Sequence, residues 1–112
     1  MNADIRACLY DVQQAIREIE GFFEGQPLRF ADYQADVRTR RATERNLEII
    51  GEAVGRILKI APAFPLTNAR GIVATRNRII HGYDTVSDEN VWGIVVRHLP
   101  LLKQEVARLL DE

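Results

Sequence analysis

Between Thr75 and Asn90 the chain reads TRNRIIHGYDTVSDEN, a stretch that sets Arg76, Asn77, Arg78, His81, Tyr83 and Asp84 within ten residues of one another. A guanidinium is a permanently charged, planar fork that grips two oxygens of a phosphate or carboxylate at once. An imidazole gives and takes protons near neutral pH. Arg76 followed by His81 therefore supplies the parts for acid–base chemistry on a bound anion, with a phenol at Tyr83 close by. Each residue also has a plainer reading. Arg76 can bond Glu44 or Glu48 across a helical bundle or snorkel to solvent, and His81 can cap a helix C-terminus before Gly82. Tyr83 and Asp84 can form a turn with an Asx-type hydrogen bond. Five residues turn an α-helix through about 140°, so Arg76 and His81 reach one cleft only where the helix ends or a second chain contributes.

Four helical segments must position these groups. In the first, Ile5, Leu9, Val12, Ile16, Ile19 and Phe23 recur at spacings of 4 and 3, one stripe of a helix ending near Gly21 to Gly25. The second runs from about Phe30 to Ile60 and is stopped by APAFP. Its seam of Leu47, Ile50, Val54 and Ile57, projected backwards, meets Glu44 or Thr43, then Arg40, then Val37, so polar groups interrupt the stripe. The third, roughly Thr67 to His81, ends at Gly82, and its seam passes through either Ile72, Arg76 and Ile79 or Val73, Asn77 and Ile80. Either path places a polar side chain on a packed face, where it is costly unless paired.

Ser87 before DEN predicts an N-cap with acidic first-turn residues, opening a fourth helix over about Asp88 to Leu110 that Pro100 kinks. Its apolar surface is wider than one packed face requires, so part of it is expected to meet another subunit; His98, on or beside that stripe, reads as structural. Arg38, Arg40, Arg41 and Arg45 form the one dense basic stretch, which reads as a solvated face with i,i+4 pairs of which a subset can line a phosphate groove. No segment alternates with period 2. The expected architecture is all-α, an up-and-down four-helix bundle formed by residues 1–112 as a single domain, and dimeric.

Composition narrows the classes. The 112 residues carry a net charge of −1, so a site for a polyanion must be a local patch. One cysteine, Cys8, and two distant histidines, His81 and His98, form no zinc-binding pattern, and no metal or other cofactor is expected. The N-terminus lacks a basic start followed by an apolar run, and no segment approaches the roughly 18 apolar residues of a membrane span. The expectation is a soluble, cytoplasmic protein. Its 13 arginines against 2 lysines suit bidentate anion contacts, although a nucleotide bias in the source genome explains the same skew.

RNRIIHGY resembles the R-x4-H-x-Y signature of the HepT-like branch of the HEPN superfamily, with Arg76, His81 and Tyr83 in register and Asn77 as the polar residue after the arginine. ERNLEIIGEAVGRIL, Glu44 to Leu58, is similar to that family's long second helix, and the resemblance extends over nearly the whole chain. It implies a homodimeric, metal-independent ribonuclease, the toxin of a toxin–antitoxin pair. The implied partner is a minimal nucleotidyltransferase antitoxin that silences the toxin by AMP transfer to Tyr83. On that reading two copies of His81 share the acid and base work on RNA, and Arg76 holds the phosphate. Asn77 orients Arg76 or a phosphate, and Arg40 and Glu44 support the site from behind. A second reading of the same residues is a noncatalytic HEPN module that binds a nucleotidyltransferase or nucleotide. A third is a helical dimerisation protein without a ligand.

Overall fold

The computed structural model describes residues 1–82 and 87–111, and every regular element among them is helical. Helix α1 (Ala3–Phe22) opens at Asn2, whose side-chain oxygen accepts from the Asp4 and Ile5 N–H groups at 2.7 and 3.2 Å. Its stripe of Ile5, Leu9, Val12, Ile16 and Ile19 is buried throughout, and Cys8 lies beside it as a buried free thiol. Phe23, just past the helix, meets Trp92 edge-on at 5.7 Å between ring centroids.

The expected second helix is two. Helix α2 (Phe30–Ala35) stops at Asp36, which is extended with φ −103° and ψ 92°, and α3 (Val37–Ile60) begins after it. The Asp36 carboxylate accepts from the Thr39 N–H at 3.0 Å and from its hydroxyl at 2.7 Å, an N-cap that starts a new helix where no glycine or proline marks a break. The break lets α2 turn Tyr33 into a cluster with Phe23, Phe30 and Trp92. In the second half of α3, Leu47, Ile50, Val54 and Ile57 are all buried.

Helix α4 (Ala69–His81) starts two residues later than the pattern suggested, because Asn68 is left-handed at φ 58°. Thr67 is drawn instead to Glu105, its hydroxyl donating to Oε2 at 2.7 Å. Gly82 closes the helix at φ 63°, the left-handed cap expected there. The last segment comprises α5 (Asp88–Gly93), a wide π-helical turn over Ile94–His98, and α6 (Leu99–Asp111). Ser87 caps it, accepting from the Asn90 N–H at 3.1 Å. The irregularity expected at Pro100 takes the form of that π turn: Pro100 has no N–H for the preceding turn, and the Leu99 N–H reaches back to the Ile94 carbonyl.

The long helices alternate in direction. Arg6 on α1 donates to the Leu110 carbonyl at 2.9 Å while Glu20 pairs with Lys103 at 2.8 Å, so α1 and α6 run antiparallel. Helix α3 packs on both α1 and α4, and Arg76 of α4 lies against Gly51 while Val73 lies against Gly55, so α3 and α4 also run antiparallel. The result is an up-and-down helical bundle with α3 at its centre. No helix among the described residues is long and apolar enough to cross a membrane.

Candidate active site

The α3–α4 crossing sets the position of Arg76. A methyl group on Gly51 would overlap the Arg76 Cβ and stand 3.3 Å from the Ile72 carbonyl oxygen, so glycine is what allows the two helices to approach here. Of the two possible seams, α4 uses Ile72, Arg76 and Ile79, all half-buried; Asn77 and Ile80 are exposed. Arg76 is thereby a cation on a packed face. Its Nη1 donates to the Asn77 side-chain oxygen at 3.1 Å, and its Nε is buried without a partner. Neither Glu44 nor Glu48 takes it: Glu44 pairs with Arg41 at 3.3 Å and Glu48 with Arg45 at 3.1 Å.

His81 is the last residue of α4 and is exposed. The Gly82 cap ends the helix directly after it, so His81 sits at the end of the segment rather than part-way along it. Tyr83 and Asp84 lie outside the described residues. Arg40 and Glu44 are half-buried on the N-terminal half of α3, and Arg40 pairs at 3.6 Å with Asp88, the first residue of α5. Burial, then the charges of Glu44 and Asp88, push the Tyr33 hydroxyl well above the usual phenol range, with Arg40 opposing them. Tyr33 Oη, Arg40 Nε and Thr43 Oγ1 are all buried without a hydrogen-bond partner. Arg40, Glu44 and Asp88 therefore form a charged rim around Tyr33 beside the start of α5.

Three residues shape this region without having stood out in the pattern. Gly51 sets the helix approach; its signal was two glycines, Gly51 and Gly55, four apart inside a strongly amphipathic helix. Asp88 was read as a first-turn acid and also serves as the partner of Arg40. Tyr33, in a short helix read as part of α3, had no local signal. His98, read as structural, is exposed at the end of the π turn.

Chemically, the arrangement offers one guanidinium with an unused donor, a neighbouring amide that steadies it, and an imidazole at the exposed end of the same helix. Comparison with known proteins agrees with a nuclease. The family described as Ribonuclease HepT-like matches residues 12–109. A protein of Thermococcus cleftensis named "Probable ribonuclease HepT" is 33% identical over 105 residues, covering 90% of this chain and 91% of its own. One of Methanocaldococcus jannaschii named "Putative RNase MJ0127" is 29% identical over 110 residues, covering 97% and 89%. No solved structure matches the chain at a significant level. With the match running from the middle of α1 almost to the end of α6, the chain belongs to the HepT-like ribonuclease family.

Proposed function

We propose that the protein is a metal-independent endoribonuclease, the toxin of a toxin–antitoxin pair, in which Arg76 and His81 do the chemistry and Asn77 holds Arg76 in place. The observation that carries this reading is the half-buried Arg76 guanidinium, fixed by Gly51 and Asn77 yet keeping an unused N–H donor, on a helix that ends at an exposed His81. Cleavage of an RNA strand by its own 2′-hydroxyl needs three things. The 2′-oxygen must lose its proton as it bonds to phosphorus, the departing 5′-oxygen must gain one, and the charge on the phosphoryl oxygens must be held. Two imidazoles can divide the proton transfers, and a guanidinium that stays charged can hold two oxygens.

A homodimer supplies the second imidazole by facing one His81 to the other across a shared cleft. Ile80, 46% exposed beside His81, is an apolar side chain that such a partner would cover. Arg40 and Glu44 support the site indirectly, Arg40 through its pair with Asp88 at the start of α5. A minimal nucleotidyltransferase silences the toxin by transferring AMP to Tyr83, which places a bulky anion two residues from His81 and repels RNA. The setting is cytoplasmic.

Cleaved RNA from reactions run in chelator should end in 2′,3′-cyclic phosphate, the product of internal attack. Intact mass after incubation with the partner enzyme and ATP should rise by whole AMP units, and Tyr83→Phe should abolish the rise. Ends bearing 3′-hydroxyls would overturn the mechanism; an unchanged mass would remove the AMP-transfer part and leave the nuclease.

A further inference from the structure

Helix α4 rests on α3 and leaves an open groove of about 360 Å³ between itself and the π turn of the last segment. Asn68, Thr75 and Arg78 line it from α4 and its cap, and Asn90, Ile94 and His98 from the facing segment. No carboxylate is among the described residues that line it. Its one arginine among the described lining residues, Arg78, has no ion pair among the described residues. Likewise the side chains of Asn90 and His98 make no hydrogen bond among the described residues. Among its described residues the groove therefore offers unused donors and no charged acceptor.

Two further observations tie it to the site. Arg78 and His81 are three residues apart on one helix, which makes them neighbours on its surface. His98 ends the π turn that Pro100 imposes, and the turn leaves it lining the groove opposite Arg78. From Asn68 to Arg78 the groove follows ten residues, about 15 Å of helix, longer than one phosphate needs. A chain with net charge −1 requires a local patch if it is to hold a polyanion, and this one adjoins the exposed end of α4.

We infer that this groove is a second subsite for the RNA strand, in which Arg78 and His98 hold a backbone phosphate one or more nucleotides away from the bond that is cut. The inference rests on the ribonuclease reading and adds to it the path of the substrate. Arg78 grips the phosphate oxygens, His98 and Asn90 donate from the opposite wall, and the strand runs on from there to His81.

The test is equilibrium binding of a fluorescent single-stranded RNA at 50 to 200 mM salt, made with His81→Ala as background so that nothing is cut. Arg78→Gln and His98→Gln are the variants, and Arg56→Gln, whose residue pairs with Glu52 away from the groove, is the control. Both test residues are exposed, so folding is expected to survive, and a thermal melt checks it. Arg78→Gln should weaken binding five- to tenfold at low salt and flatten the log–log salt slope by about 0.7, the share of one phosphate contact on a single strand. With His81 restored, Arg78→Gln and His98→Gln should raise KM several-fold with kcat within twofold, and Arg56→Gln should change neither.

Unchanged affinity and slope in both variants, in a protein that still cuts RNA, would overturn the subsite and leave the nuclease intact. A protein that cuts nothing but loses RNA affinity on Arg78→Gln would overturn the nuclease and keep the groove. Variants that bind RNA normally but change the oligomeric mass would show that the groove belongs to a protein contact, overturning the inference.

Discussion

Replacing Gly51 by alanine adds one methyl at the point where α3 and α4 come closest, and its effect can be worked against Gly55, one turn further along the same helix. Glycine inside a helix is normally a liability, so Gly→Ala without a steric conflict should stabilise by about 0.5–1 kcal/mol. At Gly55 the new methyl meets Val73 Cγ2 at 3.8 Å, an ordinary contact, and the full gain is expected. At Gly51 it would overlap the Arg76 Cβ and lie 2.8 Å from its Cγ, with the Ile72 carbonyl oxygen at 3.3 Å. Backbone and Cβ atoms cannot swing aside as a side-chain tip can, so α4 must move. Overpacking of this kind costs about 1–3 kcal/mol, and an overlap with a Cβ held by its backbone belongs in the upper part of that range, about 2–3 kcal/mol, which leaves a net loss of about 1–2 kcal/mol after a helix gain of about 1 kcal/mol. At about 4 °C per kcal/mol, Gly51→Ala should melt roughly 4–8 °C lower and Gly55→Ala roughly 2–4 °C higher than the parent. Moving α4 also moves Arg76, and a displacement of about 1 Å at a positioned group can cost on the order of 100-fold in rate. Urea unfolding, thermal melts and an RNA-cleavage assay on the two variants give all these quantities. A Gly51→Ala protein as stable and as active as the parent would refute the close crossing and the placement of Arg76 argued from it.

Other consequences are simpler to read. Ser87→Ala removes the acceptor for the Asn90 N–H and should lose about 1 kcal/mol in urea unfolding, while Ser87→Asp should retain most of it. Tyr33→Phe deletes a buried hydroxyl with no partner, so near neutral pH it should be neutral or stabilising by up to about 1 kcal/mol. Burial pushes the Tyr33 pKa up, so the folded state holds the proton that the unfolded state releases above about pH 10. The parent should therefore lose stability as pH rises past that point, and Tyr33→Phe should lack that component of the fall. A double-mutant cycle on Arg40→Ala and Asp88→Ala should give a coupling of roughly 0.5–1 kcal/mol for their half-buried pair, and a coupling of zero would remove Arg40 as an anchor of α5.

Much of the framework was legible because it depends on local rules. The α1 stripe, the α3 seam from Leu47 to Ile57, the Gly82 cap and the Ser87 cap are set by helical period or by one residue's backbone and side-chain preferences, and each lies where those rules place it. The break at Asp36 was equally local but was hidden, because no glycine or proline between Phe30 and Ile50 marks a stop and the only signal is a cap, Asp followed three residues later by Thr. The choice between two α4 seams was not local. It was decided by Gly51 on another helix, which admits the Arg76 side of α4 and leaves Asn77 and Ile80 outside. His98 shows the same limit: a π turn shifts the angular register of the helix, so an α-helical reading put His98 on or beside the apolar stripe, whereas it is exposed and lines a groove. The spacing of Arg76, Asn77 and His81 marked them in the sequence as candidates for chemistry, but how Arg76 is held rests on a crossing between helices that are distant in the chain.

The most direct measurement is single-turnover RNA cleavage in chelator by the parent protein, Arg76→Ala and His81→Ala, prepared side by side. If Arg76 holds the phosphate and His81 moves the protons, the parent cuts, and each variant falls by about 100- to 10,000-fold while melting normally. Equal cleavage by all three preparations would contradict that assignment.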